Sequence, residues 1–390
     1  MSGADDKPTT TQEQLALPTA TLDKYKAAAQ VVANALQALI PKLVDGANIV
    51  ELCNEGDKLI EQGTAKLYNK VKGIPKGLAF PTTLSVNSVL QNFSPVPTDT
   101  ESEKTLKAND VVKVCMGAHI DGFPIISAET VVVSSETITD VRANLLQAAY
   151  QAGEAAIRAV KPGAKNWEVT EAIKKVLAEY DSAGIKGIEG VLSHQFEQNN
   201  IEAKKGIVAT PSLQQRADSD NSYTFEEGEV YGLNLFVTNS TESNKFKTAD
   251  TSRTTVFQKT TSSYALKMKA SRATFSEISK KAGSFPFTLR VLEDEVKARM
   301  GVRECVSHGL LKSYDIITTE KSTDLSAQAF ITFAVTKTGV ARLSLPSTYF
   351  DADKIKSDVQ VSEEVKALIT KSLKPKPTKT KKAAADQTKA

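Results

Sequence analysis

The chain has 390 residues, of which 41% are hydrophobic and 24% are charged, and its formal net charge is +3. This length and composition can bury a sizeable core, which excludes disordered and fibrous proteins and indicates one large globular domain or two smaller ones. Cys53, Cys115 and Cys305 are widely spaced and form no CxxC pair, so the sequence indicates neither a disulfide framework nor a zinc knuckle. We therefore expect a reducing compartment.

The first segment, 1–19, is polar and carries acids where a secretory signal needs a basic flank and an apolar stretch. We expect it to be a disordered arm. The most apolar early run, 27–41, is interrupted by Gln and Asn and is too short to span a bilayer. The sequence therefore predicts no insertion into a membrane.

An internal repeat follows. Residues 35–60 align without a gap on 152–177, so that Gly46 meets Gly163. In each copy an apolar period of 3.6 residues leads to this glycine, which fits a helix C-cap, and a second helix then begins. The sequence predicts a duplicated helical hairpin, with a cavity between the two halves.

The strand signals lie between and after the hairpins. They are alternating or β-branched runs, found at 110–117, 123–134, 229–238, 251–258 and 327–336. Strands collected in the middle of the chain, with helices packed on one side, indicate an α+β domain.

Basic charge is concentrated in two segments. Residues 371–390 carry +6 and residues 262–312 carry +5, which leaves −8 for the rest of the chain. Polyanion binding is therefore expected at these two segments.

The segments 77–95, 111–122, 159–177, 226–236 and 327–333 together resemble the creatinase/methionine aminopeptidase, or pita-bread, superfamily. The segment 266–302 resembles more closely the proliferation-associated, ErbB-receptor-binding protein family, whose fungal branch includes curved-DNA binding. The resemblance implies an α+β pita-bread fold at 20–370 with a pseudo-twofold repeat. It also implies a small helical insert at about 262–312 and a disordered tail at 371–390.

The resemblance also places the metal ligands of the aminopeptidases on this chain. The five positions hold residues that bind no hard divalent pair; they are Cys115, Ile126, Val191, Asn234 and Phe330. Two further active-site histidines fall on Asn92 and Asn199. The three histidines of the chain lie in no HxH or HxxxH spacing, and no motif places a His beside Cys115. We expect no metal, no cofactor and no catalysis.

Two sets of basic residues are candidate nucleic-acid contacts. In the insert, three phenylalanines at 275, 285 and 287 interleave with Lys267, Lys269, Arg272, Lys280, Lys281 and Arg290. The alternative is that these aromatics form the core of the insert and the charges only solvate it. The tail is a lysine-rich arm without apolar period, which can bind nucleic acid or serve as a nuclear localisation signal; its lysines are Lys371, Lys374, Lys376, Lys379, Lys381 and Lys382.

The favoured function is a non-enzymatic nucleic-acid-binding protein that reads DNA shape or curvature, and structured or ribosomal RNA, through the backbone. The alternative is an adaptor that binds peptides or proteins in the former substrate cavity, and a residual aminopeptidase is the third possibility. The resemblance implies residence in nucleus and cytoplasm, a role in ribosome biogenesis, and ribosomal or regulatory proteins as further partners.

Overall fold

The structure is a computed structural model that describes residues 17–134, 136–347 and 349–373. The α-helices in these ranges are α1 (Thr19–Leu39), α2 (Ile49–Ala65), α3 (Val141–Ala159), α4 (Asn166–Ala178), α5 (Leu213–Ala217), α6 (Lys269–Lys281), α7 (Glu295–Ser307) and α8 (Glu363–Thr370). The strands are β1 (Lys76–Val86), β2 (Val89–Gln91), β3 (Val111–Ile120), β4 (Phe123–Val132), β5 (Lys186–Gly187), β6 (Leu192–Phe196), β7 (Gly206–Val208), β8 (Val230–Thr238), β9 (Phe246–Thr248), β10 (Val256–Lys259), β11 (Phe287–Thr288), β12 (Leu311–Tyr314), β13 (Ile317–Thr319), β14 (Ser326–Thr336) and β15 (Gly339–Arg342).

Nine strands form one antiparallel sheet. Its order is β1-β3-β4-β14-β8-β6-β7, with β15 paired to β14 and β5 paired to β8. Two smaller sheets have the orders β11-β10-β12 and β2-β13-β9. Strands and helices share one domain, so the predicted α+β class is confirmed.

The two helical hairpins, α1–α2 and α3–α4, have equivalent turns. Gly46 and Gly163 both adopt positive φ, at +82° and +81°, which a side chain would disfavour. The Gly46 N–H donates to the carbonyl oxygen of Leu106 at 2.8 Å, and the Gly163 N–H donates to that of Phe225 at 2.9 Å. The repeat read from the sequence thus has a structural counterpart. The glycines lie within the turns rather than directly after the first helix of each hairpin; in the first hairpin a 3₁₀ turn, Ile40–Lys42, follows α1.

The helices and the site occupy opposite faces of the sheet because side chains alternate along a strand. On β14, Ala329 and Ile331 lie against Gly153 of α3. Gln328 and Phe330, which alternate with them along the strand, line a cavity on the other face. The sheet therefore presents a row of alternate residues to the site.

One predicted strand begins later than expected. The run 251–258 predicted strand throughout, but β10 starts at Val256. The preceding side chains bind acids elsewhere: Arg253 contacts Asp99 at 2.5 Å, and Thr254 contacts Asp315 at 2.9 Å. These contacts hold the segment away from the strand ladder.

The segment 262–312 contains α6, β11 and α7, and reaches into β12. It has a core of its own, in which α6 and α7 pack closely: a Cβ added to Gly301 would lie 2.7 Å from Oγ1 of Thr274. Among the residues that the structure describes, no helix is long and apolar enough to cross a membrane.

Candidate functional site

A cavity of about 190 Å³ opens on the face of the large sheet away from the helices. Residues of both halves of the repeat line it, and so does Tyr314 of β12, just after the end of the insert. The lining residues are Phe80, Thr83, Gln91, Asn92, Cys115, Ile126, Leu192, His194, Phe196, Ile201, Glu202, Gly232, Asn234, Tyr314, Gln328 and Phe330. Its volume suits a fragment-sized group rather than a drug-sized ligand.

The structure brings four of the five carried-over ligand positions together here, namely Cys115, Ile126, Asn234 and Phe330. Val191 is the exception. It packs beside a small cluster of Leu90, Ile188 and Phe236 and does not line the cavity. Its neighbour Leu192 and His194 line the cavity from β6 instead. Of the two histidine positions, Asn92 lines the cavity and Asn199 does not.

The floor of the cavity is uncharged. Burial raises the pKa of the Cys115 thiol to about 12, so it is protonated at neutral pH. The Gln328 Nε2 donates to Oδ1 of Asn234 at 2.8 Å, and the ring of Phe330 lies 6.4 Å from that of Phe196. A thiol, two paired amides and aromatic rings are unsuited to a hard divalent ion.

One carboxylate lies at the cavity wall and is already engaged. The Tyr314 hydroxyl donates to Glu202 at 2.6 Å, and Lys312 forms an ion pair with it. Burial alone would raise the pKa of Glu202, but these two hydrogen bonds and the lysine charge lower it overall. Burial lowers the pKa of the nearby His194, against the opposing charge of Glu202.

Metal binding needs several such donors to converge. Within the described ranges, no group of three or more His, Cys, Asp or Glu side chains could hold an ion. The residues present therefore do not fit the metal pair of the aminopeptidases.

The three phenylalanines of the insert are not exposed surfaces on which nucleic-acid bases could stack. Phe287 is buried in the core of the insert, and Phe275 packs partly buried against it. Phe285 is buried against the main core, where its ring stacks on His119 at 4.4 Å. The alternative interpretation, that these residues form the core of the insert, fits Phe275 and Phe287, whereas Phe285 belongs to the main core.

Arg290 was a candidate nucleic-acid contact, and the structure contradicts this. Its side chain is only 5% exposed and pairs with Asp57 of α2 at 2.6 Å. It also donates to Ser94 Oγ at 2.7 Å and to the carbonyl oxygen of Pro95 at 3.1 Å. Arg290 is thus an anchor between the insert and the main domain, because a buried guanidinium needs an anionic partner.

The remaining candidate residues of the insert differ in whether an ion pair or a hydrogen bond already engages their charged group. Lys267, Lys269 and Lys280 are exposed and have no ion-pair partner among the described residues. Lys281 pairs with Glu277 at 2.8 Å and with Glu293 at 3.7 Å. Arg272 donates to the carbonyl oxygens of residues 266 and 267. Among these candidates, the free positive charge therefore lies at Lys267, just before α6, and at Lys269 and Lys280 on α6.

The tail candidates lie at the edge of the described chain. Lys371 is exposed, and its carbonyl oxygen accepts a hydrogen bond from Arg158 at 2.7 Å. Leu373 packs partly buried against the core of the second half. The other five tail lysines lie outside the described residues; they are Lys374, Lys376, Lys379, Lys381 and Lys382.

A further basic cluster, at residues 66–76, was not identified from the sequence. The stretch 66–76 holds Lys66, Lys70, Lys72 and Lys76 without a single acid. Charge counted over the long segments concealed it, because Glu51, Glu55, Asp57 and Glu61 precede it closely. A shorter counting window would have revealed it.

Comparison with known proteins agrees with this fold. The model of metallopeptidase family M24 matches residues 23–243. The chain is 40% identical over 355 residues to a curved DNA-binding protein of Schizosaccharomyces pombe, covering 91% of each chain. It is 41% identical to ERBB-3 binding protein 1 of Arabidopsis thaliana, covering 82% of this chain and 79% of that one. It is 35% identical to proliferation-associated protein A of Dictyostelium discoideum, covering 93% and 92%.

Solved structures show the same architecture. A thermophilic Arx1 superposes with a TM-score of 0.83 at 30% identity, covering 93% of this chain and 100% of that one. A methionine aminopeptidase of Thermotoga maritima superposes with a TM-score of 0.55 at 15% identity, covering 86% and 100%, which bears on the fold alone. The predicted pita-bread fold is thereby confirmed. The chain belongs to metallopeptidase family M24 and is, within it, a homologue of the curved DNA-binding, ERBB-3 binding and proliferation-associated proteins.

Proposed function

We propose that this chain is a non-catalytic nucleic-acid-binding protein built on the metallopeptidase fold. The observation that carries the proposal is its 40% identity, over 91% of both chains, to a protein named for binding curved DNA. The chemistry of the cavity supports the non-catalytic part, and the free lysines of the surface support the binding part.

The non-catalytic part rests on the donors in the cavity. A dinuclear hydrolase needs carboxylates and an imidazole that converge on two ions. At the four ligand positions in the cavity this chain has a protonated thiol, an amide and two hydrocarbon side chains, those of Cys115, Asn234, Ile126 and Phe330. The one carboxylate there, Glu202, is held by Lys312 and Tyr314.

Binding through the phosphate backbone fits the distribution of charge. Lys267, Lys269 and Lys280 of the insert are exposed and unpaired within the described chain, and the tail adds seven lysines between 371 and 390. The sequence has no zinc finger or basic zipper region that would read base edges. Preference for DNA should then come from shape and deformability, and structured or ribosomal RNA is recognised by shape as well. We propose that the protein resides in the nucleus and the cytoplasm. Ribosomal or regulatory proteins are proposed as its further partners.

The test is a binding survey with the full-length protein. Curved DNA, straight DNA of equal length, single strands and structured RNA are titrated at several salt concentrations. We expect affinity that falls steeply with salt and that heparin abolishes by competition. In parallel, elemental analysis and a Met-peptide cleavage assay should show neither stoichiometric transition metal nor activity. Absence of salt-dependent binding to every nucleic acid would overturn the proposal.

A second candidate is a peptide- or protein-binding adaptor. The persistence of a cavity of about 190 Å³ with aromatic walls at the former active site favours it. A peptide held in a cavity whose floor is uncharged and whose one lining carboxylate is paired should be nearly indifferent to salt and to heparin, which separates the two functions in the same assay.

A further inference from the structure

The lysines at 66–76 lie on an exposed loop between two anchored elements. The loop begins at Lys66, the residue that caps the C-terminal end of α2, and ends where β1 starts at Lys76. Lys66, Lys70 and Lys72 are exposed, and the structure gives none of them an ion-pair or hydrogen-bond partner within the described chain. Three cations on a short loop repel each other, so an unpaired cluster of this kind suits a polyanionic ligand.

The fourth lysine of the stretch fixes the loop. The Lys76 ammonium donates to Oδ1 of Asn69 at 2.5 Å and also to the carbonyl oxygens of Ala65 and Leu67. Tyr68, between these acceptors, is in the left-handed conformation with φ +52°. Lys76 thus satisfies carbonyls at the end of α2, as a cation at a helix C-terminus does, and gives the other lysines a defined position.

A groove of about 580 Å³ lies beside this loop. One wall is formed by the last turns of α2 and the start of β1, and the other by the last turn of α6 and the segment that follows it. The lining residues are Glu61, Thr64, Ala65, Lys76, Gly77, Leu78, Lys281, Ala282, Pro286, Phe287, Arg290 and Val291. Lys280 of α6 is exposed and precedes the lining residue Lys281, while Lys66 follows the lining residue Ala65 on the other side. We call Lys280 and the three exposed lysines of the loop, Lys66, Lys70 and Lys72, the rim lysines.

Most charges inside the groove are already balanced. Asp57 neutralises Arg290, and Glu277 and Glu293 neutralise Lys281. Glu61 opposes an anion, but burial raises the pKa of its carboxyl, as does Asp57, while Lys281 lowers it. The charge left over is that of Lys76 and of four rim lysines: Lys66, Lys70, Lys72 and Lys280.

We propose that this lysine groove binds the phosphodiester backbone of a nucleic acid. The inference rests on the proposed function for the kind of ligand and adds the surface that holds it. Lys66, Lys70 and Lys72 contact phosphates from one side and Lys280 from the other. The insert and the main domain therefore bind the same strand.

The test uses the full-length protein and the triple variant K66E/K70E/K72E, with a labelled DNA duplex and a structured RNA hairpin in fluorescence anisotropy. Three lost phosphate contacts should flatten the slope of log K against log salt by about 3, at about 0.9 for each contact. The variant E61Q, which removes the opposing acid, should bind more tightly than the wild type. A control of equal charge change is K161E/K337E/K356E, whose lysines are exposed and lie outside the groove lining; its slope should match that of the wild type.

Lysine acetylation read by mass spectrometry tests the surface without any substitution. Bound nucleic acid should protect Lys66, Lys70, Lys72 and Lys280 and leave Lys161, Lys337 and Lys356 as reactive as in the free protein. If the wild type binds but the triple variant keeps its slope and the rim lysines stay reactive, the groove is wrong and the proposed function stands. If the wild type binds no nucleic acid, the proposed function and the groove fail together. The inference would also be overturned if the wild type bound only anionic-lipid vesicles and no nucleic acid, and if the triple variant lost that binding.

Discussion

The cavity and the lysine groove both lie where the insert region meets the main domain, but they differ in charge: the cavity has almost none that is unpaired, whereas the groove has several unpaired lysines. At the cavity, the resemblance predicts ligand positions at Cys115, Asn234 and Phe330, which carry no charge, and the one lining carboxylate, Glu202, is paired. At the groove, four lysines are left unpaired at the rim. Buried charge is costly unless it is balanced, whereas surface charge is free to attract a ligand. Charge is thus paired or absent at the cavity, whereas unpaired lysines remain at the groove.

The largest effect is expected at Arg290, which lines the groove but is not one of its free cations. Arg290→Met leaves the Asp57 carboxylate buried without its partner, which should lower the free energy of unfolding by about 3 to 5 kcal/mol in a urea titration. Lys280→Met, at an exposed position of the same insert, should change it by less than about 0.5 kcal/mol.

Nucleic-acid binding should rank Arg290 and Lys280 in the opposite order to stability, as measured by the slope of log K against log salt. The slope should become shallower for Lys280→Met, which loses a phosphate contact, and stay unchanged for Arg290→Met. Both are measured under conditions in which Arg290→Met is still folded. The double variant D57N/R290M should recover part of the lost stability, because no unpaired charge then remains. Equal stability of all three variants would show that the Arg290–Asp57 pair contributes nothing to the fold.

The fold was predictable because its signals are local and repeated. The 3.6-residue period and Gly46 and Gly163 predicted both hairpins, and alternating runs predicted the main strands. The role of Arg290 was not predictable, because its partner Asp57 is 233 residues away and only the folded chain brings them together. For the same reason the lysines at 66–76 could not be placed opposite Lys280.

The site was predicted in part. Four of the five carried-over ligand positions line the cavity, while Val191 lies in another cluster. Side chains alternate along an extended segment, so an alignment that is off by one residue moves the side chain to the other face. A short segment such as 189–196, at the entry to β6, offers too few residues to fix that register from sequence alone.

The second effect concerns the neutral floor of the cavity. Cys115→Asp places a carboxyl where burial disfavours its charge, so its pKa in the folded chain should exceed that in the unfolded chain. The folded state then holds the proton more tightly, and stability should fall as pH rises from 4 to 7, by about 3 kcal/mol relative to Cys115→Asn. Thermal or urea unfolding across this pH range measures it. A pH-independent difference would mean that the floor solvates charge well.

The third effect concerns His119, which joins the β3–β4 hairpin to the insert. Its ring stacks on Phe285, and burial lowers its pKa to about 4 despite the opposing charge of Asp121. Between pH 6.5 and 4 the unfolded chain binds a proton that the folded chain does not. Stability should therefore fall in this window as the solution is acidified, by about 2 kcal/mol more than in His119→Asn. Parallel curves for the two proteins would contradict the lowered pKa.

The smallest effect on stability, and the sharpest on binding, is expected at the tail. Leu373 packs against the core of the second half, and Arg158 donates to the Lys371 carbonyl oxygen, so residues 371–373 are attached to the domain. Deleting 374–390 should change the free energy of unfolding by less than about 0.5 kcal/mol, whereas deleting 371–390 also removes these contacts and should cost about 1 kcal/mol more.

Both deletions remove at least six lysines. If three to five of them contact phosphates, each deletion should flatten the salt slope by about 3 to 4. Combined with K66E/K70E/K72E, the losses in slope should add, because the tail and the groove then contact different phosphates. Losses that fail to add would show that the tail lies in the groove itself.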